Sequence, residues 1–222
     1  MSSVVPTPGE AIDGDDRWLS LHKLFLSEGK EKEPDVVVLG DYTVAFLQQS
    51  EASVWEKLFA PLHCLNFGIP EDRIENVLWR IENGELDNLN PKVVVLSVGC
   101  NDNSSTPEAV AEGVVICATA ITFRLPEAQV VVLHPNSQRD RRRLINEALS
   151  KGLKGRSRIQ LVDLDPGLVR PDGSISHHDM FDFRHLSRQG YLATFEPLAD
   201  LVAQLLSEAA GAGDPTPAIT SP

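Results

Sequence analysis

The stretch Val93-Val94-Val95-Leu96-Ser97-Val98-Gly99-Cys100-Asn101-Asp102 decides the fold. Its first six residues are aliphatic except for Ser97 and show no alternation of period two. That is the pattern of a strand covered on both faces inside a parallel sheet, where neither side meets water. Gly99 then breaks the run, and a short polar cluster follows it.

Four further apolar runs flank this one at Val36–Leu39, Leu65–Phe67, Val130–Leu133 and Ile159–Leu164. Between them, residues 71–81, 107–124 and 140–151 place apolar side chains at three-to-four spacing, as do 16–26 before the first run and 187–207 after the last. Alternation of strand and helix requires right-handed crossovers and predicts a flavodoxin-like three-layer α/β/α sandwich with a five-stranded parallel sheet. In such an open sheet the functional residues stand just beyond the C-terminal ends of the strands. Composition places a flexible tail at 1–12, the folded domain at 13–207 and a second flexible tail at 208–222.

A formal charge of −12 over 222 residues argues against nucleic acid and anionic membrane surfaces as partners, because the mean field repels polyanions. Cys64, Cys100 and Cys117 are odd in number and widely spaced in apolar surroundings, which predicts buried free thiols in a reducing, cytoplasmic setting. No run approaches the ~18 apolar residues of a membrane span, and residues 1–10 lack the pattern of a secretory leader.

Four polar segments follow the strands. They are Gly40-Asp41-Tyr42-Thr43, Asn66-Phe67-Gly68-Ile69-Pro70-Glu71-Asp72, Gly99-Cys100-Asn101-Asp102 and, near the C-terminus, His177-His178-Asp179-Met180-Phe181-Asp182-Phe183-Arg184-His185. Asp182 and His185 are three apart, so that on a helical turn the carboxylate orients the imidazole and stabilises its charged form. Together they read as a general base that needs a hydroxyl to deprotonate.

These segments resemble the SGNH (GDSL) hydrolases, and more closely the α subunits of intracellular brain-type platelet-activating factor acetylhydrolase. The resemblance runs from about Asp13 to Leu206. Its blocks are Gly14-Asp-Asp-Arg-Trp18, Lys32-Glu-Pro-Asp-Val36, Pro61-Leu-His-Cys-Leu-Asn-Phe-Gly-Ile69, Val77-Leu-Trp-Arg80, Asn83-Gly-Glu-Leu86 and His178-Asp-Met-Phe-Asp-Phe183. It implies a triad acid at Asp182, a triad base at His185 and an oxyanion-hole amide at Asn101, with no metal and no cofactor. It also implies homodimers and, as a partner of such dimers, the WD40-repeat lissencephaly protein.

Three positions depart from the pattern. Where the family places its nucleophilic serine this chain has Tyr42, and where it places a Gly-Gly pair this chain has Pro70 and Glu71. A phenol oxygen lies about 6.5 Å from Cα, whereas attack needs reacting atoms about 3–3.5 Å apart, so Tyr42 fills the substrate's space instead of serving it. Glu71 keeps its N–H but brings a carboxylate beside any developing oxyanion, and Pro70 has no N–H. Pro70-Glu71-Asp72 also makes a favourable first turn for the following helix, with Pro at its first position.

The expectation is a catalytically inactive homologue acting as a dimeric binding or scaffold protein. The alternative is a residual or altered esterase on acetylated phospholipids or small acyl esters. It would use Thr43, Cys100 or a water activated by His185. His177, His178, Asp179, Asp182 and His185 could together ligate a metal but match no established ligand motif, and Asp179 reads more plainly as a turn cap; Arg139, Arg141, Arg142 and Arg143 could grip a phosphate or an acidic partner but read more plainly as a solvated helix start; Trp18, Trp55 and Trp79 read as core or interface. Asp41 is expected to hold N–H groups of the helix after it.

Overall fold

The structure, a computed structural model, describes residues 4–10, 14–49, 52–134, 139–164, 167–168, 174–180 and 186–211. Five parallel strands, β1 (Val36–Gly40), β2 (Cys64–Gly68), β3 (Val93–Ser97), β4 (Gln129–Leu133) and β5 (Ile159–Val162), stand in the order β2-β1-β3-β4-β5. That is the flavodoxin-like arrangement expected from the alternation of patterns. β1 and β3 are buried at every position, which explains their unbroken aliphatic composition. The register aligns Gly40 with both Gly68 and Ser97, so three strands end at one level.

Helices α1 (Arg17–Lys32), α4 (Ile74–Glu82), α5 (Pro107–Arg124) and α6 (Arg139–Gly152) cover one face, around Leu39, Phe67, Leu96 and Val132. Helices α2 (Tyr42–Gln49), α3 (Ala52–Leu58) and α7 (Arg188–Gly211) cover the other, around Val38, Val95 and Val131. Among the described residues no helix is long and apolar enough to cross a membrane. Cys64 and Cys117 are buried and Cys100 is half-buried, all three as free thiols.

Helix α5 has the bounds its pattern predicts, because Thr106 caps it by accepting the Ala109 amide at 3.2 Å and Pro107 opens its first turn. Helix α1 outruns its apolar stripe by six residues, carried by polar pairs four apart: Ser27 on Glu31, and Lys32 on Glu28 at 2.6 Å. Helices α2 and α3 were not evident in the sequence, since each is only about two turns long. Residues 4–10 carry a tail-like composition but have a defined place: the Thr7 amide donates to the Glu75 carbonyl, and Asn76 donates to the carbonyl of Thr7.

The expected first turn at Pro70-Glu71-Asp72 is a correction. Helix α4 begins at Ile74, and the three residues before it form a separate turn closed by the Asp72 amide on the Ile69 carbonyl at 3.2 Å. The helix start is held otherwise: Asn76 accepts the Arg73 amide, and the carboxylate of Asp102, reaching over from beyond β3, accepts the Ile74 amide. Capping from outside frees Asp72 to turn inward.

Asp72 turns toward Arg80, a guanidinium with no exposure to solvent. Arg80 donates to Asp72 at 2.8 Å, to Glu85, to the Phe67 carbonyl at 3.0 Å and to the Gly40 carbonyl at 3.1 Å. The indole of Trp18 donates to the second oxygen of Asp72 at 2.6 Å, and His22 faces Glu85 at 3.4 Å. Burial acts to lower the Arg80 pKa, but the charges of Glu85 and Asp72 outweigh it and hold the group firmly cationic. Arg80→Met would leave two buried carboxylates without their counter-ion. It is expected to cost about 3–5 kcal/mol in urea unfolding at neutral pH, with part of the loss recovered near pH 5 as the acids take up protons.

A second latch joins β1 to β3 where the strand order reverses. Asp41 is 1% exposed; one of its oxygens accepts the Thr43 amide at 3.3 Å and the other accepts the amides of Gly99 at 2.9 Å and Cys100 at 3.1 Å. Gly99 stands at φ 111°, a conformation that favours glycine and turns its N–H toward the carboxylate. Burial outweighs these hydrogen bonds and pushes the Asp41 pKa up to about 6. A folded-state pKa above the unfolded value gives stability that is full below about pH 4 and is lost as pH rises through about 6. Relative to Asp41→Asn, the native chain is therefore expected to gain roughly 2–3 kcal/mol between pH 7 and pH 4. A pH-independent difference in the two unfolding curves would contradict this.

Candidate functional site

The loops after β1, β2 and β3 meet at the C-terminal edge of the sheet. Their meeting requires close backbone packing: a side chain at Gly68 would come within 2.3 Å of the Ala45 backbone nitrogen, and one at Gly40 within 1.9 Å of the Ser97 carbonyl oxygen. Two glycines thus let the first turn of α2 sit directly on the strand ends. Asn66 secures it further, donating to the Val44 carbonyl at 2.8 Å and accepting the Gly68 amide at 2.9 Å.

Tyr42 is the first residue of α2, immediately after Asp41. Its hydroxyl is withdrawn from solvent, and its ring packs on Phe46 one turn later with centroids 4.6 Å apart. The helix therefore carries its own aromatic pair over the place where the chain leaves β1.

Asn101 is half-buried and donates through its side-chain nitrogen to two carbonyls, those of Pro70 and Asp72, each at 2.8 Å. A primary amide has two N–H groups, so both are engaged in holding the turn that contains Glu71. Glu71 itself is exposed at the outside of that turn. The structure thus brings Asn101, Pro70 and Asp72 together as a clasp between two loops.

The thiol of Cys100 adjoins Asp41 and Thr43. Burial and the charge of Asp41 drive its pKa far above the ordinary thiol range, away from the thiolate that nucleophilic chemistry needs. The same causes, burial first, act on Cys64, which lies close to Asp35 and is raised to about 12.

Asp182 and His185 lie outside the described residues. Their neighbours Met180 and Leu186 pair as an isolated antiparallel bridge, and the Ser187 amide donates to the Asp179 carbonyl at 2.8 Å. His177 and His178 lie in the turn before that bridge with ring centroids 4.0 Å apart. Among the described residues no group of three or more His, Cys, Asp or Glu is arranged to hold a metal ion.

The tryptophans divide between the two layers. Trp55 is buried and stacks on Phe59, while Trp18 and Trp79 surround His22 at the edge of the Arg80 network. Residues of that network were not singled out as functional from the sequence. The available signal was an arginine inside the apolar stripe of α4, between Val77 and Ile81, with acids on both sides at Asp72 and Glu85.

No family profile matches the chain. It is 49% identical over 221 residues to the Drosophila melanogaster "Platelet-activating factor acetylhydrolase IB subunit beta homolog", covering 96% of this chain and 97% of that protein. It is 45% identical over 223 residues to the Mus musculus "Platelet-activating factor acetylhydrolase IB subunit alpha1", covering 97% and 95%. Among solved structures, a GDSL-like lipase from Bacteroides thetaiotaomicron superposes with a TM-score of 0.59 at 16% identity over 85% of this chain and 98% of that one, a likeness of fold alone. On sequence identity sustained across nearly its whole length, the chain belongs to the family of platelet-activating factor acetylhydrolase IB subunits.

Proposed function

We propose that the chain is a non-catalytic member of this family, acting as a dimeric binding or scaffold protein in the cytoplasm. The observation that carries the reading is Tyr42. The family resemblance puts the attacking serine at the first residue of α2, and there this chain has an aromatic side chain with its hydroxyl buried and its ring packed against Phe46. With no short alcohol at that place, His185 has no proton to take from a nucleophile.

The state of Asn101 supports the same reading. Stabilising an acyl-transfer intermediate requires donors aimed at the developing oxyanion, and one such donor supplies about 3–4 kcal/mol. Both protons of the Asn101 amide point instead at backbone carbonyls. The raised thiol of Cys100 removes the nearest substitute nucleophile. The relatives are named as subunits, which supports an assembled state; the homodimer and the WD40-repeat lissencephaly protein are the partners that the family resemblance suggests.

Purified protein is expected to hydrolyse p-nitrophenyl acetate no faster than its His185→Ala variant. Turnover lost in that variant would refute the proposal. Restoring the attacking group alone is expected to do little: Tyr42→Ser should stay within about 10-fold of background, because Glu71 still brings its carboxylate and Pro70 still lacks an N–H where the family has its Gly-Gly pair. Tyr42→Ser combined with Pro70→Gly and Glu71→Gly is expected to exceed the single variant by about 10²-fold, the scale of one oxyanion donor. Equal activity from the single and triple variants would show that the turn does not limit the site.

A further inference from the structure

Residues 4–10 form a strap across the starts of α4 and α5. Its ends rest on apolar groups: Val4 packs on the core beside Gly113 of α5, and Gly9 lies so close to the Trp18 indole that a Cβ there would come within 2.5 Å of the ring. Between these ends Thr7 is bonded at both of its backbone groups. Its amide donates to the Glu75 carbonyl at 3.1 Å, and its carbonyl accepts from the Asn76 side chain at 3.0 Å, both in the first turn of α4.

Thr7 is nevertheless exposed, and Pro8 follows it. Four hydroxyl residues of the chain stand directly before a proline: Thr7, Thr106, Thr216 and Ser221. The pairing matters because one class of protein kinase transfers phosphate to a serine or threonine before proline, on a substrate segment held extended. Thr216 and Ser221 lie outside the described residues. Thr106 is the cap of α5; its hydroxyl accepts the Ala109 amide at 3.2 Å, and the residues after it are helical. Thr7 stands in a segment without helix or strand, and Pro6 and Pro8 bias the chain around it toward an extended form.

A phosphate at Thr7 would oppose the seating of the strap in two ways. The hydroxyl donates to the Val5 carbonyl at 2.9 Å, and once esterified its oxygen has no proton to give. The space beside Thr7 is lined by Glu75 and Asp102, so a group carrying about −1.5 to −2 at pH 7 would face two carboxylates. Arg73, the cation between them, is already shared, 3.3 Å from Glu75 and 3.6 Å from Asp102.

We propose that Thr7 is the target of a proline-directed kinase and that its phosphate holds the strap off the body of the protein. The γ-phosphoryl group of ATP leaves ADP and joins Oγ1 of Thr7, and the hydroxyl proton is released. Modification and release favour each other, since the kinase reads the strap when it is lifted and the phosphate then disfavours its return. Release uncovers the Trp18 ring and the surface beside Ile74 and Gly113 that Val4 covers. None of this depends on whether the chain hydrolyses esters.

The test treats the full chain with a mitogen-activated protein kinase and Mg-ATP, maps the added phosphate by mass spectrometry, and times cleavage after Glu10 by a glutamate-specific protease. Phosphate is expected on Thr7 and not on Thr106, with cleavage after Glu10 about 5-fold or more faster in the modified chain. Thr7→Ala should take no phosphate in the strap, and should keep the slow cleavage and the melting temperature of the native chain. Gly9→Val, which has no room against Trp18, should be cut about as fast as the phosphorylated chain without any kinase. Absence of phosphate from Thr7, cleavage of the phosphorylated chain at the native rate or slower, or slow cleavage of Gly9→Val would each overturn the proposal.

Discussion

The guanidinium of Arg80 is the group on which the site is built. Without solvent contact, it bridges the carbonyl ends of β1 and β2 and neutralises Asp72 and Glu85, which flank helix α4 in sequence. Isolated charges this deep would cost several kcal/mol each, and they are tolerated because nearly every lone pair and N–H has a partner. Trp18 and His22 bring helix α1 into the same network. Strand ends clasped in this way hold the loops above them in fixed positions.

Above this floor, polar side chains at the strand ends bond to the protein's own backbone. Asp41 joins the β1 and β3 loops, Asn101 joins the β3 loop to the turn before α4, and Asp102 holds the first amide of that helix. Tyr42 adds apolar packing with Phe46 where a small hydroxyl would leave space. Each of these contacts ties loop to loop.

The surface itself is strongly polarised. Residues 139–158 carry eight arginines and lysines against two acids in a chain whose net charge is −12, and Asp163, Glu147 and Glu127 pair with three of those arginines.

The strand runs, the long helices and the family blocks were legible in the residues themselves. Aliphatic content without alternation leaves a buried parallel strand little alternative, and a polar residue on a stripe of period 3.6 is visible in one dimension. Tyr42, Pro70 and Glu71 could likewise be read as departures from the resemblance without coordinates. Tertiary structure alone decided that α4 starts at Ile74, because its cap, Asp102, lies 28 residues away. It alone decided that Asn101 faces Pro70 and Asp72, and that Arg80 is buried among acids from both ends of its helix. Local sequence records propensity and period, while the direction of a hydrogen bond depends on which distant group the fold brings within about 3 Å.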